Sequence, residues 1–201
     1  MQSVPVNQRI RINILQAACI VAAATVLFAK PMVEAHAHRY VAFAGLLLVM
    51  ICIAGRTWCT LYIGSRKNSQ LITAGPYSMT RNPLYLFSTI GAAGVGLMTG
   101  SFVVALVFGL IAYLILNETA RRESVHLRNL FGPAYDDYAS RTPMFWPNPS
   151  LYFEPKSWDF SPRLVRRTFR DATMFLLAYP AIELVAYLQR SGYLPTYILL
   201  P

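Results

Sequence analysis

The sequence of 201 residues has little charge, few acidic side chains and few cysteines. Charged residues make up 13% of it and hydrophobic residues 55%, a balance that is unusual for a soluble domain. The three cysteines (Cys19, Cys52 and Cys59) form no CxxC pair and are too few for a disulfide framework, so we interpret them as packing residues. The alternating apolar pattern of an outer-membrane barrel is also absent. The composition therefore indicates a helical membrane protein.

The sequence contains several long apolar stretches. A helix needs about 20 apolar residues to cross the ~30 Å hydrocarbon core of a bilayer. The first stretch is longer than the apolar part of a signal peptide, usually about 7–15 residues, so we expect it to be retained as a span. The fold class predicted is all-α, a polytopic helical membrane protein with about five transmembrane helices. The predicted spans are 12–29, 40–63, 83–98, 102–121 and 173–188.

Basic residues are distributed unevenly between the two sides of these spans. Of the 18 Lys and Arg residues, only Lys30, Arg39 and Arg190 fall on the side opposite the amino terminus. The positive-inside rule then places the amino terminus in the cytosol and the carboxyl terminus outside. Because basic residues flank the spans and form no uninterrupted run, we expect contacts with lipid headgroups and no nucleic-acid partner.

The third and fourth predicted spans form a tight hairpin. The turn at 99–101 joins them, and Ser101 is a suitable N-cap for the fourth helix. Gly91, Gly94 and Gly96 fall on the third span, where small residues allow neighbouring helices to approach closely.

The stretch "GPYSMTRNPLY" (75–85) precedes and opens the third span. Asn82 is a preferred N-cap residue, and Pro83 is favoured at the first helical position. A helix start presents free N–H groups and a positive dipole end, and Arg81 adds a forked donor suited to carboxylate. Capping plus a positive-inside arginine accounts for these three residues without a ligand. It does not explain Gly75, Pro76, Tyr77 or Tyr85.

The stretch "NETARRESVHLRNLFGPAYDDY" (117–138) begins at the far end of the same hairpin. An ionisable group such as Glu118 is costly near the membrane unless it is paired or hydrated. One interpretation is a helix that continues into the cytosol, stabilised by pairs such as Glu118 with Arg122. The alternative brings Glu118 and Glu123 close to Asn82. An acidic group beside an anion-binding helix start suits a zwitterion such as an amino acid.

Arg56 and two histidines are polar residues outside these stretches. Arg56 lies about one turn inside the predicted interface, where it either extends its side chain to water or faces a partner or substrate. His36 and His38 have no acidic or cysteine partner at metal-binding spacing beyond Glu34. We therefore expect no metal site.

Together, the two stretches resemble the isoprenylcysteine carboxyl methyltransferase family. That family has a "GxY…RHPxY" element opening one helix and a later helix ending in "EExxLxxxFGxxYxxY". Here the counterparts are "GPYSMTRNPLY" and "ESVHLRNLFGPAYDDY", and the resemblance covers about residues 55–145. Asn82 stands where the family has His, and Ser124 stands where it has a second Glu.

The resemblance implies that S-adenosylmethionine binds on the cytosolic side, between the start of the third span and the following helix. A carboxylate acceptor would be oriented by a cation, for which Arg128, with Arg121 or Arg122, is the candidate. An amine acceptor would be deprotonated by Glu123. The implied cofactor-binding residues are Gly75, Tyr77, Arg81, Asn82, Pro83, Tyr85, Glu118, Glu123 and Tyr135.

We expect residues 1–201 to form a single domain, with the cofactor part at about 55–145. An interfacial segment rich in Trp, Tyr, Phe and Pro follows at about 146–171, and the last span occupies about 172–190. A basic helix is predicted after Ser161 and Pro162. The expected location is a bacterial cytoplasmic membrane, with membrane lipids and a lipophilic substrate as partners.

Other functions remain open at this point. The same scaffold suits phospholipid N-methylation or thiol S-methylation. A membrane sterol-type reductase is a further alternative, although the sequence has no Gly-rich βαβ fingerprint for a nicotinamide cofactor. The last alternative is a non-catalytic membrane adaptor, which is compatible with Ser124 standing where the family has a second Glu.

Overall fold

The computed structural model describes residues 29–31, 35–64, 69–195 and 198–200, and it describes side chains at 38–64 and 69–195. Residues 12–28 of the first predicted span lie outside the described residues. Seven α-helices and two short 3₁₀ turns make up most of the described chain. The helices are α1 (Ala35–Ile63), α2 (Pro76–Met79), α3 (Pro83–Met98), α4 (Phe102–Phe131), α5 (Pro133–Arg141), α6 (Pro162–Thr173) and α7 (Ala178–Arg190), and the turns are Pro149–Leu151 and Met174–Leu177.

The all-α prediction is confirmed. Among the described residues, three helical stretches are long and apolar enough to cross a membrane: His38–Ile63, Phe102–Phe131 and Pro162–Arg190. Helix α3 is a shorter apolar helix of 16 residues. The predicted helix ends at Ile63, Pro83 and Met98 agree with the structure, and α4 continues ten residues beyond the predicted span to Phe131.

One pair of three-residue strands joins residues that are distant in sequence. Strand β1 (Ala29–Pro31) pairs in parallel with β2 (Ile198–Leu200), and Lys30 lies opposite Leu199. Residues that follow the first predicted span are therefore adjacent to residues that follow α7, as the even number of predicted spans between them (four) requires.

Helix α3 packs against α1 on one side and α4 on the other because glycines at the contacts leave room for backbone. A Cβ atom added to Gly45 would lie 2.6 Å from the carbonyl oxygen of Gly94. A Cβ added to Gly91 would lie 2.6 Å from Cys52 Sγ, and one added to Gly96 would lie 2.6 Å from the Cα of Ala105. The predicted packing role of the α3 glycines is confirmed.

Local capping chemistry fixes the start of α4 as predicted. The Ser101 hydroxyl accepts a hydrogen bond from the backbone N–H of Val104 at 3.3 Å, so the helix begins at Phe102. Helix α6 begins at Pro162 after Ser161, also as predicted, but the Ser161 side chain makes no capping hydrogen bond.

The last helical run packs on the α1–α3 pair. Met98 of α3 and Val49 and Ile53 of α1 form a buried cluster with Ala172 of α6 and Ile182 of α7. This cluster leaves the other end of α1 and the start of α3 available to build a site.

Candidate cofactor cleft

The loop before α3 requires glycine at position 75. Gly75 has φ +59°, and a Cβ atom there would lie 2.3 Å from the ring of Tyr62. Both the backbone conformation and the ring contact therefore exclude a side chain. The Ser78 hydroxyl donates to the Gly75 carbonyl oxygen at 2.6 Å and closes the short helix α2.

A second segment, which we call the strap (residues 143–153), holds this loop through backbone groups. The Arg81 N–H donates to the Pro143 carbonyl oxygen at 2.9 Å, and the Gly75 N–H donates to the Phe153 carbonyl oxygen at 2.8 Å. Between these contacts, the Asn148 N–H donates to Met79 O at 2.9 Å. The strap therefore fixes the loop at both ends and in the middle.

Side chains of the loop also bind the strap, and this corrects one prediction. Asn82 occupies the N-cap position of α3, but its side chain makes no capping hydrogen bond. Its amide instead donates to Met144 O at 2.9 Å. The Tyr85 N–H donates to the Asn82 backbone oxygen at 3.1 Å, so this donor of the first turn is not free, contrary to the prediction.

A cleft opens between this loop, the end of α1 and the part of α4 and α5 that lies beyond the hairpin. Its volume open to water is about 120 Å³, several times the roughly 10–15 Å³ that one water needs. Its walls combine apolar, aromatic and charged side chains. The lining residues are Ile63, Gln70, Leu71, Ile72, Tyr77, Arg81, Asn82, Leu84, Tyr85, Glu123, Ser124, Leu127, Phe131, Tyr135 and Tyr138.

The cleft carries both signs of charge. Arg81 reaches it from the loop and Glu123 from α4. The Tyr85 hydroxyl donates to Glu123 Oε2 at 2.8 Å, which fixes the carboxylate against the first turn of α3. Arg81 Nη1 lies 3.4 Å from the Tyr135 hydroxyl, and Arg81 Nε is buried without a partner among the described residues.

Two buried tyrosines line the cleft together with Arg81. The Tyr138 hydroxyl donates to the backbone oxygen of Tyr77 at 2.7 Å. The Tyr77 hydroxyl is buried and has no hydrogen-bond partner among the described residues. Burial raises the pKa of Tyr77 and of Tyr138 well above the usual value, so both hydroxyls keep their protons at neutral pH.

The structure brings most of the predicted site residues together. Gly75 and Pro83 are buried and shape the adjoining loop and helix start. Glu118 and Arg128 do not line the cleft: Glu118 pairs with Arg122 at 2.9 Å and Arg128 with Asp136 at 2.6 Å, both on exposed surface. The predicted residues that line the cleft are Tyr77, Arg81, Asn82, Tyr85, Glu123 and Tyr135.

Several lining residues were missed, and helical spacing would have found some of them. Leu127 and Phe131 follow Glu123 at intervals of four residues on α4, so the three share one face. Tyr138 lies three residues after Tyr135 on α5 for the same reason. The strap gives no such signal, because its contacts with the loop join residues more than 60 positions apart.

Comparison with known proteins identifies the family. A model of the family "Phospholipid methyltransferase" matches residues 35–134. Protein-S-isoprenylcysteine O-methyltransferase of Schizosaccharomyces pombe is 30% identical over 91 residues, 45% of this chain and 39% of that protein. The chain belongs to the isoprenylcysteine carboxyl methyltransferase-like family of membrane proteins. The predicted resemblance is confirmed, and the apolar helices are those of an integral membrane protein.

Two further relatives of this chain carry names that concern metal resistance. The nickel-cobalt-cadmium resistance protein NccN of Alcaligenes xylosoxydans xylosoxydans is 37% identical over 157 residues, 78% of this chain and 73% of that protein. The cobalt-zinc-cadmium resistance protein CzcN of Cupriavidus metallidurans is 40% identical over 132 residues, 66% and 61% of the two chains. No solved structure matches the chain.

Proposed function

We propose that this protein is an S-adenosylmethionine-dependent methyltransferase that methylates the carboxylate of a lipophilic, isoprenylcysteine-like acceptor. One observation carries the proposal: a cation, Arg81, and a carboxylate, Glu123, line the same cleft. The family membership supports methyl transfer as the reaction class.

The residues of the cleft fit the amino-acid end of this cofactor. That end is a zwitterion, so it needs a donor for its carboxylate and an acceptor for its ammonium group. Arg81 has a buried Nε that lacks a partner among the described residues, and Tyr77 has a buried hydroxyl in the same condition. Unpaired buried donors are costly, and a bound carboxylate would satisfy them. Glu123, held by Tyr85, would accept from the ammonium group.

S-adenosylmethionine, when bound, supplies a methyl group on a sulfonium that is open to in-line displacement. A carboxylate acceptor is already ionised at neutral pH and needs no general base. The protein's contribution is then to bind both molecules, orient them and exclude water. The apolar lining of Ile63, Leu84 and Leu127 suits a lipophilic acceptor that enters from the bilayer.

The distribution of basic residues supports a cleft on the cytosolic face of a bacterial cytoplasmic membrane. The exposed arginines of α6 suit anionic headgroups at that face. Membrane lipids and the lipophilic acceptor are therefore the partners that we propose.

Phospholipid N-methylation is a second candidate, favoured by the description of the matching family model. An amine acceptor must lose a proton before it attacks, and Glu123 is the group in the cleft that can accept one. The two candidates differ in the acceptor atom and share the cofactor site.

Calorimetric titration of the purified protein with S-adenosylmethionine tests the cofactor proposal, and reduced nicotinamide cofactor serves as the comparison. We expect binding of the first and none of the second, and weaker binding of the first by Glu123→Gln. Asp137→Asn, an exposed carboxylate outside the cleft, is the matched control. Binding of the nicotinamide alone would favour a reductase, and binding of neither would favour an adaptor.

Mass spectrometry of membrane extracts identifies the acceptor. Cells that overproduce the protein are compared with cells that overproduce Glu123→Gln, and molecules that gain the mass of one CH₂ group are isolated. A prenylated cysteine ester supports the first candidate. A methylated ethanolamine headgroup supports the second.

A further inference from the structure

Arg56 is an arginine within a membrane-spanning helix. It lies on α1, seven residues before the helix ends at Ile63, which places it about 10 Å along the helix axis from that end. A guanidinium at such a depth is costly unless it is paired or hydrated, and intramembrane charges of this kind commonly serve function.

The partners of Arg56 do not balance its charge. Its Nη1 donates to the hydroxyl of Ser88 on α3, and its Nε is buried with no partner among the described residues. Within the described part of the chain no carboxylate forms an ion pair with it. One hydroxyl satisfies one of five N–H donors and none of the charge.

Two of the other arginines considered for binding the acceptor are already paired. Arg128 donates to Asp136 at 2.6 Å and Arg122 to Glu118 at 2.9 Å, both on exposed surface outside the cleft. An acceptor anion would have to displace these carboxylates. Arg56 offers its charge without that competition.

The position of Arg56 relates it to the cleft. Its partner Ser88 lies four residues after Leu84 on α3, so the two side chains lie on the same face, about one turn apart. Leu84 lines the cleft. Arg56 is therefore adjacent to the cleft on its membrane side, where the polar end of a lipophilic molecule would arrive.

We propose that Arg56 binds the carboxylate of the acceptor and thereby selects anionic lipophilic acceptors over neutral ones. This inference rests on the proposed function, because it concerns the second substrate of the same site. The planar fork of an arginine matches the two oxygens of a carboxylate. Ser88 holds one arm of the fork and leaves Nε and the remaining donors for the ligand.

The test measures binding directly, without turnover. The full-length protein is placed in neutral-lipid nanodiscs with S-adenosylhomocysteine, and binding of N-acetyl-S-farnesylcysteine is compared with binding of its methyl ester. We expect the wild type to bind the acid at least about tenfold more tightly than the ester. Arg56→Gln should lose this preference, so that acid and ester bind alike, with ester binding unchanged.

Three further variants separate acceptor binding from a structural role. Arg39→Gln changes an exposed arginine near the other end of α1 and should keep the preference for the acid. Arg56→Lys should retain part of the preference, because it keeps the charge and loses the fork. Ser88→Ala removes the link between the helices while keeping the cation, and should retain most of the preference.

The inference is overturned if Arg56→Gln binds the acid as well as the wild type does, or loses acid and ester binding equally. Loss of the preference in Arg128→Gln with retention in Arg56→Gln would overturn it in favour of the exposed arginine. A wild type without any preference would also overturn it. Binding of S-adenosylmethionine, measured separately on the same preparation, reports whether the proposed function itself stands.

Discussion

At the scale of single residues, the cleft contains donors that folding alone does not satisfy. The Tyr77 hydroxyl and Arg81 Nε are buried without partners among the described residues, whereas the neighbouring Tyr138 hydroxyl is bonded to Tyr77 O. A buried donor without a partner lowers the stability of the unliganded protein. A ligand that accepts a hydrogen bond from this donor removes the cost. Binding and stability should therefore respond to substitution in opposite directions.

We expect Tyr77→Phe to weaken S-adenosylmethionine binding by roughly tenfold to 150-fold, the value of a hydrogen bond to a charged group. The free energy of unfolding should stay the same or rise, because the substitution removes a buried hydroxyl that lacks a partner. Calorimetry and thermal unfolding measure the two effects. Tyr138→Phe is the control, and it should destabilise the protein by about 1 kcal/mol. Unchanged cofactor binding by Tyr77→Phe would contradict the assignment.

A second prediction at this scale concerns Gly75. We expect Gly75→Ala to lower the free energy of unfolding by about 2–4 kcal/mol, because it combines a left-handed backbone with a clash against Tyr62. Gly132→Ala is matched to it: Gly132 has φ +55° but nothing within 4 Å of the added Cβ. The control should therefore lose only the backbone contribution, about 1 kcal/mol. Equal losses in thermal unfolding would show that the ring contact contributes nothing.

At the scale of helices and segments, features set by neighbouring residues could be predicted from the sequence, and features set by contacts between distant residues could not. Proline and serine predicted the starts of α3 and α4 because their effects operate within one turn. The role of Asn82 was not predictable, because its partner Met144 lies 62 residues away. Glu118 and Glu123 are five residues apart and so point about 140° apart around α4. The structure shows that Glu123, bonded to Tyr85, is the one that faces the cleft.

The close contact of α1 with α3 gives a prediction at this scale. Gly45→Ala places a methyl group against the backbone of Gly94 and Met98, which cannot rotate away, and should destabilise the protein by about 1–3 kcal/mol. Gly109→Ala adds the same methyl group to a helix where the nearest atom is the Cβ of Ala93 at 3.2 Å. This control should cost less, because alanine also favours the helix. A larger loss in the control, measured by thermal unfolding, would contradict the packing argument.

At the scale of the whole molecule, composition predicted the helical membrane class, and motif spacing predicted the family. The separation of charge predicts the orientation of the chain. The short β1–β2 pair fits that topology, because it joins the residues beyond the first predicted span to those beyond α7. The contacts of the strap could not be predicted, because no local sequence pattern shows which of its backbone groups will form hydrogen bonds with a distant loop.

Labelling of single cysteines tests the orientation in a background with Cys19, Cys52 and Cys59 replaced. Ser191→Cys, exposed just beyond α7, should react with an impermeant maleimide applied to intact cells. Ser140→Cys, exposed on α5, should react only after the membrane is opened. The reverse pattern would place the cleft on the outer face and contradict a cytosolic cofactor site.

The hydrogen bonds between the strap and the loop have an evolutionary consequence. Three of them join main-chain atoms at both ends, and main-chain atoms are common to nearly all amino acids. Strap side chains can therefore change during evolution while the loop beside the cleft retains its shape. Because no strap residue lines the cleft, divergence concentrated in residues 146–152 would leave the side chains of the cleft unchanged.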